Sequence, residues 1–131
     1  MPRALWPLRY DQPVIEVSLS WAAGGQDARA LLADTGAGTA QAGFELILDE
    51  DDCLQAGGLP VQPVSLGGAY VGSYPVYAVR IQIPILGFDQ HVRAVGVSTV
   101  PAGMDGLAGF RFLNRFAYGN FGDPGRFGLE S

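Results

Sequence analysis

Lysine is absent from this 131-residue chain, and histidine and cysteine each occur once, as His91 and Cys53. A single cysteine excludes a disulfide within the chain. A single histidine excludes a histidine-based triad with a ligand to spare and most histidine-rich metal sites. All 8 basic residues are Arg, set against 13 acidic ones, for a net charge of −5. No basic cluster stands out, so neither nucleic acid nor an anionic membrane is an expected partner, because neutralising phosphate takes clustered positive charge. No apolar run approaches the ~20 residues of a membrane span. The stretch Met1 to Pro13 is interrupted by Pro2, Pro7 and Pro13 and has no continuous apolar centre, which argues against a signal peptide. The expectation is a soluble, cytoplasmic protein.

What is abundant is apolar side chain and chain punctuation. A hydrophobic share of 48% against 16% charged residues belongs to a folded domain rather than a disordered chain. The length allows one domain, residues 1–131, with 1–13 as an N-terminal extension, and is too short for a two-lobed enzyme. Nineteen Gly and nine Pro, without a repeat, imply many tight turns and short elements. A mostly β domain with one or two short helices is therefore expected.

Periodicity locates the elements. Ile15, Val17, Leu19 and Trp21 alternate with Val14, Glu16, Ser18 and Ser20, the period of a half-buried strand. A turn at Ala23–Asp27 leads to a returning strand, Ala28–Ala33, which runs into the small residues Asp34 to Ala40. Asp49 is placed to cap a short helix whose first turn holds Glu50, Asp51 and Asp52, and Gly57-Gly58 stops it. Strands are then expected at Val61–Leu66, Val76–Ile83 and His91–Val97, with a glycine-rich turn at Gly67–Ser73. A short helix at Arg111–Phe116 precedes a final hairpin closed by Asp123-Pro124-Gly125.

The chemistry centres on Asp34-Thr35-Gly36-Ala37, directly after the apolar strand end Leu31-Leu32-Ala33. Asp-Thr-Gly alone makes turns in many proteins. Here a hairpin precedes it, and a second apolar-apolar-Gly segment, Leu107-Ala108-Gly109, follows far along the chain. With Gly106 and Phe110-Arg111-Phe112-Leu113 around that segment, the chain from Val14 to Leu129 resembles a retropepsin-like aspartic peptidase, the single-lobe relative of retroviral proteases. The resemblance implies a single-lobe acid-protease barrel that works as a two-fold homodimer on a peptide or protein substrate.

Hydrolysis by this route needs two carboxylates about one water, one ionised as base and one protonated as acid. Two carboxylates in close contact share a proton and titrate as a unit. One Asp-Thr-Gly supplies one carboxylate, so the resemblance implies that Asp34 of a second copy supplies the other. It further implies that Thr35 bonds across the dimer axis and that Gly36 admits close approach of water or substrate. Ala37 would face substrate, Leu107, Ala108 and Gly109 would support the Asp34 loop, and Gly67, Gly68, Ala69, Tyr70 and Gly72 would form a flap over an extended peptide. No cofactor and no metal are implied. An alternative use of the same residues is a catalytically silent, protease-like dimeric module that binds peptides or serves as a scaffold.

Two positions depart from the family pattern. Ala40 stands where a Ser or Thr is common, and Arg111 where an acid or amide is common. Viral members pair an Arg of this segment with an acid shortly after the catalytic motif, whereas Gly38 to Gly43 carries no charge. Elsewhere the residues point to structure. The Asp49–Asp52 run lacks the turn glycine and oxygen ligands of a calcium loop. Cys53 has no basic neighbour to activate it and is expected as a small buried hydrophobe, His91 as a surface residue, and Trp6 and Trp21 as core or interface.

Overall fold

The alternating segment at Val14 forms β2 (Val14–Ser20), and a turn at Gly24 and Gly25, both at positive φ, returns the chain as β3 (Gln26–Ala33). A computed structural model describes residues 1–57, 60 and 63–131. Next come β4 (Leu46–Asp49) and α1 (Glu50–Ala56), then a hairpin of β5 (Val64–Leu66) and β6 (Gly72–Tyr74). The strands β7 (Val76–Ile83), β8 (Phe88–Val97) and β9 (Gly106–Ala108) follow, and α2 (Phe110–Leu113) leads to β10 (Ala117–Gly119) and β11 (Arg126–Glu130). A first strand, β1 (Arg3–Pro7), lies within the expected N-terminal extension. Of the expected elements, Gly58 of the helix stop and Val61 and Gln62 of the Val61–Leu66 strand lie outside the described residues.

Six strands close a barrel in the order β2-β3-β9-β4-β8-β7, with β7 pairing back onto β2. Two of its seams are parallel, β3 with β9 and β4 with β8, and the rest are antiparallel. Gly106 makes the tightest seam possible. A Cβ there would strike the Ile47 carbonyl and the methyls of Leu48 and Leu31, so only glycine lets β9 lie between β3 and β4.

β4, β9 and the C-terminal part of β8 bury both faces. Leu31, Leu46, Leu48, Val79, Ala94 and Ala108 point inward, joined by Cys53 of α1 and by Phe112 and Leu113 of α2. The residues between them, Ile47, Val76, Val95, Val97 and Leu107, point outward into a second apolar cluster with Phe44. Asp49 caps α1 as expected, its carboxylate accepting from the Asp51 N–H at 2.9 Å, and the helix ends at Gly57.

β11 is the middle of a separate three-stranded sheet, β1-β11-β10, and the Arg3–Glu130 ion pair at 2.8 Å closes its end. Several elements differ from the periodicity, and β3 begins at Gln26 rather than at Ala28. β4 carries no alternation because both of its faces are apolar and buried. β8 begins at Phe88 rather than at His91, since Gly87 in the left-handed region turns the chain directly into pairing. α2 covers Phe110–Leu113 rather than Arg111–Phe116, because Gly109 starts it next to the end of β9.

Candidate functional site

β3 and β9 run parallel, with Ala33 beside Ala108, and deliver the residues that follow them to one end of the barrel. Asp34 follows β3, and its N–H donates to the Ala108 carbonyl at 2.9 Å. The loop then folds on itself: Ala37 N–H donates to the Asp34 carbonyl at 3.1 Å, and Gly36 N–H to Asp34 Oδ1 at 2.9 Å. That last bond aims the carboxylate and leaves Oδ2 with no donor among the described residues. Asp34 is half-buried, while Thr35 and Gly36 are exposed at the loop tip.

From β9 the support is backbone again. Phe110 N–H donates to the Ala37 carbonyl at 2.9 Å, and Gly109 N–H to the Glu45 carbonyl at 2.9 Å. A Cβ at Gly109 would press on the Ala37 carbonyl, so this position needs a bare Cα. Ala108 and Phe110 thus hold the loop by their backbone, Gly109 ties the same segment to Glu45, and Leu107 underlies the loop from the outer cluster.

Glu45, the one buried charged side chain among the described residues, is fixed by Arg115, whose Nε and Nη2 donate to its two carboxylate oxygens at 2.6 and 2.9 Å. Their contact, strengthened by the low exposure of Glu45, raises the Arg115 pKa despite some burial. An acid beyond the Asp34 loop and an Arg from the helix segment therefore do form an ion pair, at Glu45 and Arg115. The uncharged span Gly38–Gly43 ends two residues too early to contain the acid. Arg111 instead donates Nη1 to the Ala42 carbonyl at 2.7 Å.

A groove of about 780 Å³ opens over this loop. Its floor holds Asp34, Gly36, Ala37, Phe44, Ile47 and Leu107, and its far side Val64, Ser65, Leu66, Gly67, Gly68 and Tyr70 of the β5–β6 hairpin. Among the described residues Asp34 is the only charged side chain in the lining. Of the residues expected to touch substrate, Ala37, Gly67, Gly68 and Tyr70 line the groove, and Ala69 belongs to the same single 3-10 turn, Gly68–Tyr70. Gly72 lies on the strand after that turn, outside the lining, and Thr35 also lies outside it. Burial and the neighbouring Tyr74 raise the Tyr70 pKa.

Phe44, Ile47, Val64, Leu66 and Pro101 complete the walls without having been singled out in the sequence. For two of them the signal was the short apolar run Phe44-Glu45-Leu46-Ile47-Leu48, in which Phe44 and Ile47 face the groove region while Leu46 and Leu48 face the barrel. Among the described residues no group of three or more His, Cys, Asp or Glu could hold a metal ion, and no helix is long and apolar enough to cross a membrane.

Fold and site together define a small β barrel with one carboxylate at the base of a hairpin-roofed groove. No model of a known protein family matches the chain, and no curated protein matches it.

Proposed function

We propose that this chain is one subunit of a homodimeric, retropepsin-like aspartic endopeptidase in which Asp34 of two copies activates a water for attack on a peptide bond. The observation that carries the proposal is the position of the Asp34 carboxylate, aimed by Gly36 N–H at the base of a groove roofed by a β-hairpin. One carboxylate cannot be general base and general acid in the same step, so the chemistry asks for a second copy across a two-fold axis. In that assembly the ionised Asp34 takes a proton from water as the oxygen attacks the carbonyl carbon. The protonated Asp34 of the other copy gives its proton to the carbonyl oxygen; on collapse of the tetrahedral species the first Asp34 passes the proton taken from water to the leaving nitrogen, the second takes back a hydroxyl proton, and the amine departs. The groove offers free peptide-binding edges on the hairpin and apolar walls for side chains on alternate faces of an extended strand.

Replacing Asp34 by Asn keeps the size and removes the titratable group. Asp34→Asn is expected to lower cleavage of a denatured-protein or peptide-library substrate by at least about 10²-fold while the circular dichroism spectrum is unchanged. Equal cleavage by the variant removes Asp34 from the chemistry. Peptide binding without cleavage by the unaltered chain identifies the catalytically silent module instead.

A further inference from the structure

Arg9 to Gln12 form a two-residue hairpin turn, with Arg9 N–H donating to the Gln12 carbonyl at 3.0 Å and Gln12 N–H to the Arg9 carbonyl at 2.9 Å. Its two central residues, Tyr10 and Asp11, have φ of 51° and 60°. This is the geometry that favours Asn-Gly or Gly-Gly, and a bulky tyrosine there is an outlier. Strain of this kind persists where the surroundings hold it and where it has a use.

The turn is held on one side by Gly103. Arg9 Nη1 donates to the Gly103 carbonyl at 3.3 Å, and the Tyr10 ring lies so close over Gly103 that any Cβ there would run into it. Gly103 follows Pro101, a groove-lining residue, by two positions. The other anchor is Pro13, whose carbonyl accepts from Ala33 N–H at 2.9 Å, immediately before Asp34. The turn therefore stands at the Asp34 end of the barrel. Despite its contact with Gly103, Tyr10 is 77% exposed.

The residues exposed in the stretch from Thr35 to Ala40, namely Thr35, Gly36, Gly38, Thr39 and Ala40, are all small. They offer little apolar area to a second copy that must approach closely at Asp34. At the termini β11 is paired on both edges, so that sheet offers only the outer edges of the short strands β1 and β10. The geometry points to the Arg9–Gln12 turn as a contact element of the Asp34-centred dimer, with the Tyr10 ring as the large apolar group it presents to the second copy. Aromatic residues are the side chains that most often concentrate binding energy in such contacts. This inference rests on the reading of Asp34 as half of a paired site.

The test is sedimentation equilibrium of the full chain, in the Asp34→Asn background so that no copy is cleaved. Tyr10→Gly removes the ring and suits the positive φ, so the monomer is expected to keep or gain thermal stability. The dimer dissociation constant is expected to rise by about tenfold or more. Tyr10→Asn, which also tolerates this backbone, should weaken the dimer similarly. A dimer as tight in both variants as in the parent overturns the inference and leaves the paired-site reading intact. A melting temperature that falls with no change in dissociation also overturns it, because Tyr10 then serves only to hold Gly103. A parent chain that stays monomeric at every concentration overturns both readings.

Discussion

The two sides of the groove are built on opposite principles. The floor is over-determined: Asp34, Ala37, Gly109 and Phe110 are tied by backbone hydrogen bonds of 2.9–3.1 Å to one another, to Ala108 and to Glu45. Beneath it lies a closed barrel with apolar side chains on both faces of its wall. The roof is a two-stranded sheet of three residue pairs, Val64 with Tyr74, Ser65 with Ser73 and Leu66 with Gly72. A hairpin of that size is marginal by itself in water and depends on what it rests against. Here it rests on the outer cluster through Val64, Leu66, Tyr70 and Tyr74. The contrast teaches where precision and movement are divided: the Asp34 carboxylate is on the rigid side, and the hairpin that roofs the groove is on the lightly held side.

The contrast can be broken most severely from the floor. Gly106→Ala places a methyl against the Ile47 carbonyl at a seam between three strands. We expect a loss of about 3 kcal/mol in urea unfolding, seen as a lower midpoint at unchanged slope. A shift under about 1 kcal/mol would mean that β9 does not sit locked in the wall. On the roof the cost is smaller and falls on binding. Gly72 has φ of 132° and an open space around its Cα apart from the Tyr74 ring. Gly72→Ala is expected to cost about 1 kcal/mol of stability, from backbone strain alone. Its larger effect should be on KM for a peptide substrate, with kcat little changed. A variant that loses kcat and keeps KM would move the roof into the chemical step and erase the division.

How much of this could be read from the chain depended on whether a strand buries one face or two. β2 and β7 have a wetter side, so Glu16 and Ser18, or Ala78 and Arg80, break the apolar residues into a visible period. β4 has none, because Leu46 and Leu48 enter the barrel while Ile47 enters the outer cluster, and its sequence shows only a short apolar run. The capping of α1 by Asp49 is local chemistry and was legible for that reason. The insertion of β9 between β3 and β4 is a long-range pairing, to which Gly106 is the sole clue. Asp34 and its supporting segment were legible as motifs, whereas the Glu45–Arg115 pair was not. A buried acid and its Arg lie 70 positions apart and meet only once the barrel closes.

Cysteine chemistry gives the finest comparison of the two sides. Cys53 is fully buried between α1 and the barrel. Burial first, then the charges of Asp52, Asp49 and Glu50, pushes its thiol from an ordinary 9.0 up to about 12. The folded state therefore favours the protonated thiol. The stability this lends is fully present below about pH 9, and it is lost as the pH rises towards 12. At pH 8 the native parent should leave a thiol-specific reagent unreacted, since the nucleophile is the thiolate and access is closed. Ser73 is exposed on β6, so Ser73→Cys should add one rapidly labelled thiol at the same pH with no loss of folding. Unfolding in urea should then expose a second thiol in the variant and the first in the parent. Raising the pH above 9 should speed labelling of Cys53 more than labelling at position 73, because only the buried thiol gains both thiolate and access as the barrel side loosens. Prompt labelling of Cys53 at pH 8 would mean that α1 opens as readily as the roof, and the barrel side of the groove would then lose its claim to rigidity.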